Sequence, residues 1–217
     1  MPSFSEENYL KTIYHLSKQR EVKVSVKSIA DSLKNNPASV IDMLKKLKHQ
    51  KLIQYDKTKG AKLTAKGEET ALVIVRKHRL WEVFLKEKLG YNWDEVHDIA
   101  EQLEHIKQND LANRLDKFLN FPEYDPHGDP IPKQNGKVPE VSRVTLYEAK
   151  SEKTYSVVAV KDASKPFLKY LQDLEIGIGT KIKVIEKIKF DESMHIVIGK
   201  NQKVTVSKKF SENILIA

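Results

Sequence analysis

Cysteine is absent from this chain, which removes two classes of architecture: a disulfide framework and any metal site held by thiolates. No apolar run approaches the roughly 20 residues that a membrane span requires, and Met1 to Tyr9 lacks the apolar stretch of a secretory signal. Glycine is sparse as well. Gly177 and Gly179, in Glu175-Ile176-Gly177-Ile178-Gly179-Thr180, supply a turn but are too few and misplaced for a phosphate-cradling loop. Neither a Ser/His/Asp constellation nor a nucleophile elbow is present. The expectation is therefore a soluble cytoplasmic protein without hydrolytic machinery of the serine type, its 217 residues sufficing for one large or two to three small domains.

Charge is plentiful but unevenly spread. The net charge is +8, yet residues 1–70 hold 14 Lys or Arg against 8 Asp or Glu, residues 71–140 hold 10 against 13, and residues 141–217 hold 14 against 9. A basic first segment points to a polyanionic partner, and an acidic middle is where a cation would settle.

The basic segment has a readable order. Ser5 opens a helix with Glu6 and Glu7 in its first turn, where carboxylates complement the helix dipole; Tyr9, Leu10, Ile13, Tyr14 and Leu16 follow at core spacing. A short extended piece, 22–24, leads to Ser25, which caps a second helix with an apolar stripe of Val26, Ile29, Ala30 and Leu33. Asn36 followed by Pro37 then signals a third helix, since Asn accepts a bond from a free helix N–H and proline's fixed φ suits the first helical position. Residues 52–64 read as two short strands joined at a tip rich in Lys and Gly. Two helices, a tight turn, a third capped helix and a hairpin make a winged helix-turn-helix, in which the third helix enters the major groove and the wing lies along the backbone. Asn35, Asn36, Ala38, Ser39 and Asp42 are the base-edge candidates, and Lys57, Lys59 and Lys62 the phosphate contacts.

In the acidic middle, a helix from about Glu68 to Leu89 places His78 and Glu82 one turn apart. A further helix places His97, Glu101, Glu104 and His105 at i, i+4, i+7 and i+8, on one face. Imidazoles and carboxylates without thiolate suit Mn(II), Fe(II), Co(II) or Zn(II). Another helix is expected from about 109 to 119. Trp81, Phe84, Leu85, Ile99 and Leu103 offer a dimer face, and helix-turn-helix readers usually act as two copies on a palindrome. Five of the eight prolines punctuate residues 121–140, marking a linker. Beyond it, short strands (142–146, 154–160, 181–188, 195–198, 203–206, 214–216) around one helix at 166–173 predict a small barrel. The expected fold is thus α+β, with a winged helix over 1–70, a helical metal-binding and dimerisation segment over 71–140, and a β-barrel over 141–217.

These residues resemble the metal-dependent repressors of the DtxR/MntR type with a C-terminal FeoA-like, SH3-like domain. The resemblance rests on Glu7-Asn8-Tyr9-Leu10-Lys11-Thr12-Ile13-Tyr14, on Arg76-Lys77-His78-Arg79-Leu80 with Glu82, on Val96-His97-Asp98 with Glu101, Glu104 and His105, and on Pro126-His127-Gly128-Asp129-Pro130-Ile131-Pro132. It implies one metal site from Asn8, Glu101, Glu104 and His105. It implies another from His78, Glu82 and His97, with Asp125 and His127 at positions where some manganese sensors carry Cys-Pro-His, and an acidic ligand from the C-terminal domain, for which Asp162 is the candidate. Two positions depart from the pattern: Asn8 stands where manganese sensors have Asp and iron sensors Met, and Lys11 where MntR-type sensors have Glu. Glu101 replaces the cysteine of the iron branch, and the harder oxygen moves preference toward Mn(II), then Fe(II), with Zn(II) or Co(II) as binders in vitro. The resemblance implies a dimer that binds palindromic double-stranded DNA when loaded with metal. The alternatives are a metal-dependent hydrolase or oxidase in a helical bundle, and a winged-helix regulator whose metal sites are vestigial.

Overall fold

The computed structural model describes residues 2–18, 24–108, 110–139 and 144–217. The extended piece expected at 22–24 falls largely outside the described residues, as do the start of the helix expected from 109 and of the strand expected from 142. The chain divides into two compact units: Met1–His78, Glu101–Arg114 and Pro132–Val138 form the first, and Arg79–Ala100, Leu115–Ile131 and Pro139–Ala217 the second.

The first unit begins with α1 (Phe4–Lys18), one residue earlier than Ser5 leads one to expect. Its start is a reciprocal box: the Ser3 N–H donates to Glu6 Oε2 (2.6 Å) and the Glu6 N–H to Ser3 Oγ (3.4 Å), satisfying two donors that the helix itself leaves open. Ser25 caps α2 (Val26–Leu33) as expected, in the same reciprocal manner with Ser28, and Lys34 ends it in the left-handed conformation. Asn36 accepts from the Ala38 N–H at 2.8 Å, with Pro37 opening α3 (Pro37–His49). The wing is β1 (Ile53–Asp56) paired antiparallel with β2 (Gly60–Leu63). Tyr9, Leu10, Ile13, Tyr14, Ile29, Val40, Leu44, Leu47 and Leu52 form one core, so each helix turns one apolar stripe to the same centre. Gly67, in the first turns of α4 (Ala65–Leu89), has no room for a side chain: a Cβ there would lie 1.9 Å from the Leu52 carbonyl oxygen at the base of the wing.

The second unit contains a six-stranded antiparallel sheet in the order β3-β8-β4-β5-β6-β7. Its strands are β3 (Val144–Thr145), β4 (Lys153–Val160), β5 (Lys181–Lys187), β6 (Met194–Ile198), β7 (Gln202–Val206) and β8 (Ile214–Ile216). Irregular register between Val157 and Ala159, and between Val184 and Glu186, bends the sheet around a core that includes Trp93, Leu168, Leu171, Ile182, Met194, Ile196 and Phe210. The other helices are α5 (Val96–Leu103), α6 (Leu111–Phe118), α7 (Lys165–Asp173) and α8 (Lys208–Glu212), the last not anticipated from sequence. Gly128 has φ +86°, and a Cβ there would lie 2.1 Å from the Val158 carbonyl oxygen, so the segment around His127 lies tight against β4. The Val160 N–H donates to the His127 carbonyl at 3.1 Å, closing the same contact. Among the described residues, no helix is long and apolar enough to cross a membrane.

Candidate metal centre and nucleic-acid interface

The first turn of α3 is exposed at Asn35, Asn36, Ala38 and Ser39, and Asp42 follows on the same open side. Asn36 spends its side-chain oxygen on the cap, accepting from the Ala38 N–H, and Asn35 donates to the Tyr9 hydroxyl at 3.3 Å, which leaves Ser39 and the Ala38 methyl as the candidate side chains not engaged in such a bond among the described residues. Asp42 pairs with Lys45 at 3.1 Å. Lys57, Lys59 and Lys62 are exposed on the wing. The tip is organised by Asp56, whose Oδ1 accepts from the Thr58 and Lys59 N–H groups, both at 2.8 Å; those bonds and the Thr58 hydroxyl hold its carboxyl below the usual range. Lys48 Nζ donates to the Tyr55 carbonyl at 3.0 Å, tying α3 to the wing.

One correction concerns the donor stripe. The helix expected to carry His97, Glu101, Glu104 and His105 ends at Leu103, where the Ile106 N–H bonds back to the Leu103 carbonyl at 3.2 Å. Glu104 and His105 therefore lie in the turn after α5, and the four donors do not share one helical face. The turn buries Glu104 completely and His105 almost so, at side-chain exposures of 0% and 7%.

What meets them is α1. On this helix Glu7, Asn8 and Lys11 lie within one turn of each other, on one side. Glu7 Oε2 lies 2.6 Å from His105 Nδ1, and the Phe4 ring packs on the imidazole with centroids 3.7 Å apart. The contact assigns Nδ1–H to the carboxylate and leaves Nε2 as the lone-pair nitrogen, the arrangement by which a carboxylate orients a ligating histidine. His105 Nε2 and Asn8 Oδ1 are both buried and have no hydrogen-bond partner among the described residues. His105 Nε2 is 3.5 Å from Glu104 Oε1. His78, arriving on α4, places Nδ1 2.6 Å from Glu104 Oε2. Lys11 donates to Glu101 Oε1 and to both oxygens of Glu104, at 2.7 and 2.9 Å. Sequence reasoning missed the part played by Glu7; its spacing with Asn8 and Lys11 was the available signal.

The second unit holds the remaining candidates. Glu82 is 2% exposed, with Oε1 3.3 Å from His97 Nδ1 and 3.6 Å from His127 Nε2. His127 stacks on Trp93, ring centroids 5.6 Å apart and 13° from parallel. Asp125 is occupied differently: its Oδ1 accepts from the His127 and Asp129 N–H groups (2.8 and 2.9 Å), and its Oδ2 lies 3.3 Å from Arg79 Nε. Burial, with Glu82 and Asp129 nearby, pushes its carboxyl well up, and Arg79 opposes this. Asp125 thus shapes the turn that presents His127. Asp162 sits just past the end of β4 and accepts from the Ser164 N–H at 2.8 Å.

Three family descriptions match consecutive parts of the chain: the iron dependent repressor N-terminal DNA-binding domain over residues 3–61, the iron dependent repressor metal-binding and dimerisation domain over 64–133, and the FeoA domain over 144–217. A manganese-dependent transcriptional repressor solved in complex with manganese superposes with a TM-score of 0.89 at 33% identity, over 98% of this chain and 99% of that one. The chain belongs to the iron-dependent repressor family. Within that family it is 33% identical over 121 residues to the regulator MntR of Oceanobacillus iheyensis, covering 56% of this chain and 81% of that protein. It is 35% identical over 126 residues to the iron-dependent repressor IdeR of Mycobacterium leprae, of which the match spans only 54%. ScaR solved with bound Zn2+ superposes at a TM-score of 0.81 and 32% identity over nearly the whole of both chains. For a member of this family the donor chemistry of the first unit fits a divalent cation: two carboxylates, a buried amide oxygen and an oriented imidazole nitrogen, the last two without hydrogen-bond partners among the described residues.

Proposed function

We propose that this protein is a metal-dependent transcriptional repressor, not an enzyme, which binds palindromic operator DNA as a homodimer in the cytoplasm and responds to Mn(II), with Fe(II) as the next candidate. The working segments are the winged helix over 1–70, the metal-binding and dimerisation region over 71–140 and the FeoA-like domain over 141–217. The observation that carries this reading is in the first unit, where His105 Nε2 lies 3.5 Å from Glu104 and where it and Asn8 Oδ1 of α1 are buried with no hydrogen-bond partner among the described residues. A divalent cation would supply concentrated positive charge there, joining the helix that opens the DNA-reading module to the turn after α5. Glu7 keeps the His105 nitrogen aimed inward. Glu6, on the same helix, bonds to Gln50 Nε2 at 2.7 Å and Lys46 Nζ at 3.1 Å, so the setting of α1 is felt at the far end of α3. A cation that favours one setting by about 1.4 kcal/mol shifts its population tenfold, within the 1 to 3 kcal/mol typical of coupled sites. Glu82, His97 and His127 are proposed as a second site.

The test is fluorescence anisotropy on palindromic DNA, titrated with Mn(II) against a chelator. Wild type gains affinity with Mn(II), whereas His105→Ala keeps its far-UV ellipticity and loses the gain. Equal affinity with chelator and with metal overturns the reading. One observation favours the vestigial alternative: Lys11 already engages both carboxylates.

A further inference from the structure

The position of Lys11 carries an inference of its own, which rests on the reading of Glu101, Glu104 and His105 as a cation site. Its side chain is 10% exposed, and its ammonium donates to Glu101 and to both oxygens of Glu104, a carboxylate with no solvent exposure. Glu104 is fully buried and Glu101, about a third exposed, lies beside it, so the pair repel one another and Glu104 is costly to desolvate unless a cation sits between them. Lys11 is the neighbour that brings a fixed positive charge to both carboxylates. Asn8 is neutral, and His105 faces the carboxylate of Glu7. His78 Nδ1 lies 2.6 Å from Glu104 Oε2, an oxygen that the ammonium also reaches.

We propose that Lys11 is the resident counter-ion of the metal-free site, and that a divalent cation binds only by taking Glu104 from it. Each Glu104 oxygen already receives the ammonium, so a metal bond to that carboxylate must replace or bend a charge-assisted hydrogen bond, the strong kind. Lys11 therefore has two effects. It holds the middle of α1 against the turn after α5 when no metal is present, and it raises the metal concentration at which that junction changes hands. Lysine suits this role better than arginine: a flexible stem with a single point charge can withdraw along α1, whereas a planar guanidinium would remain forked on the carboxylate.

The experiment compares wild type, Lys11→Gln and a control, Lys18→Gln, whose ion pair with Glu68 is exposed on both sides. Mn(II) affinity is measured by calorimetry, and thermal stability by far-UV ellipticity in chelator. Lys11→Gln is expected to bind Mn(II) at least about tenfold more tightly, a change of about 1.4 kcal/mol, and to melt lower than wild type in chelator but not in Mn(II). Lys18→Gln changes neither. On wild-type protein, acetylation of lysines read by mass spectrometry supplies a measurement that needs no substitution: Lys11 is protected in chelator and becomes reactive when Mn(II) is saturating. Unchanged or weaker Mn(II) affinity in Lys11→Gln, or a Lys11 that stays protected while Mn(II) is bound, overturns the proposal. If wild type takes up no Mn(II) at all, the metal-responsive reading falls separately; Lys11→Gln that then gains binding would still identify Lys11 as the occupant, and one that does not removes both.

Discussion

Substituting Glu6 by glutamine tests whether α1 is locked to α3 by charge. Glu6 is 4% exposed. Burial alone would push its carboxyl up, but the Ser3 N–H at 2.6 Å, Gln50 at 2.7 Å and Lys46 at 3.1 Å outweigh this and lower it from 4.5 to about 2. At about 1.4 kcal/mol per pH unit, that gap corresponds to at most about 3.5 kcal/mol. Lys46 is largely exposed, and solvent screening of its share brings the expected loss in Glu6→Gln to about 1 to 2 kcal/mol at pH 7. The sign follows from the direction: a carboxylate depressed in the folded state contributes its full stability above pH 4.5 and loses it as the pH falls toward 2. Wild type should therefore lose more stability than Glu6→Gln between those limits, and the two should converge near pH 2. The assay is urea denaturation by far-UV ellipticity at several pH values, with amide exchange on α1 and α3. Tryptophan emission is the wrong probe, because Trp81 and Trp93 both lie in the second unit. A Glu6→Gln protein with wild-type stability at pH 7 and an unchanged acid profile would refute the argument.

Gly128→Ala combines a φ of +86° with a Cβ 2.1 Å from the Val158 carbonyl oxygen, so it should destabilise the second unit by about 2 kcal/mol or more; a wild-type melting temperature would contradict the close approach to β4. Replacing Lys57, Lys59 and Lys62 together by Gln should weaken binding equally to operator and random DNA and flatten the salt dependence by up to about 0.9 for each phosphate no longer neutralised; an unchanged slope removes the wing from the interface. His127→Ala should lower Mn(II) stoichiometry by calorimetry and relieve any metal-dependent quenching of Trp93, which stacks on that ring; unchanged stoichiometry takes His127 out of the second site.

Much of the winged helix was legible residue by residue. Ser25, Asn36 and Pro37 act within one helical turn of themselves, and the apolar spacing of Tyr9, Leu10, Ile13 and Tyr14 has one way to be buried on a helix. The strands of the second unit were likewise visible as β-rich runs, because their alternation is local. The short α8 escaped notice since a five-residue helix has too few positions to show a period.

The candidate site divides along the same physical line. From the sequence alone came its chemistry: no thiolate anywhere, and carboxylates and imidazoles concentrated in an acidic middle. Only the tertiary structure decided how they are used. The helix stops at Leu103, so Glu104 and His105 turn inward where periodicity placed them on a continued face. Asp125 shapes a turn, Glu7 orients His105, and Lys11 reaches a carboxylate 93 residues further along the chain. Caps and stripes arise from interactions within a few residues, which a linear pattern records. The charge that a buried carboxylate meets depends on segments distant in the chain, and folding alone brings those together.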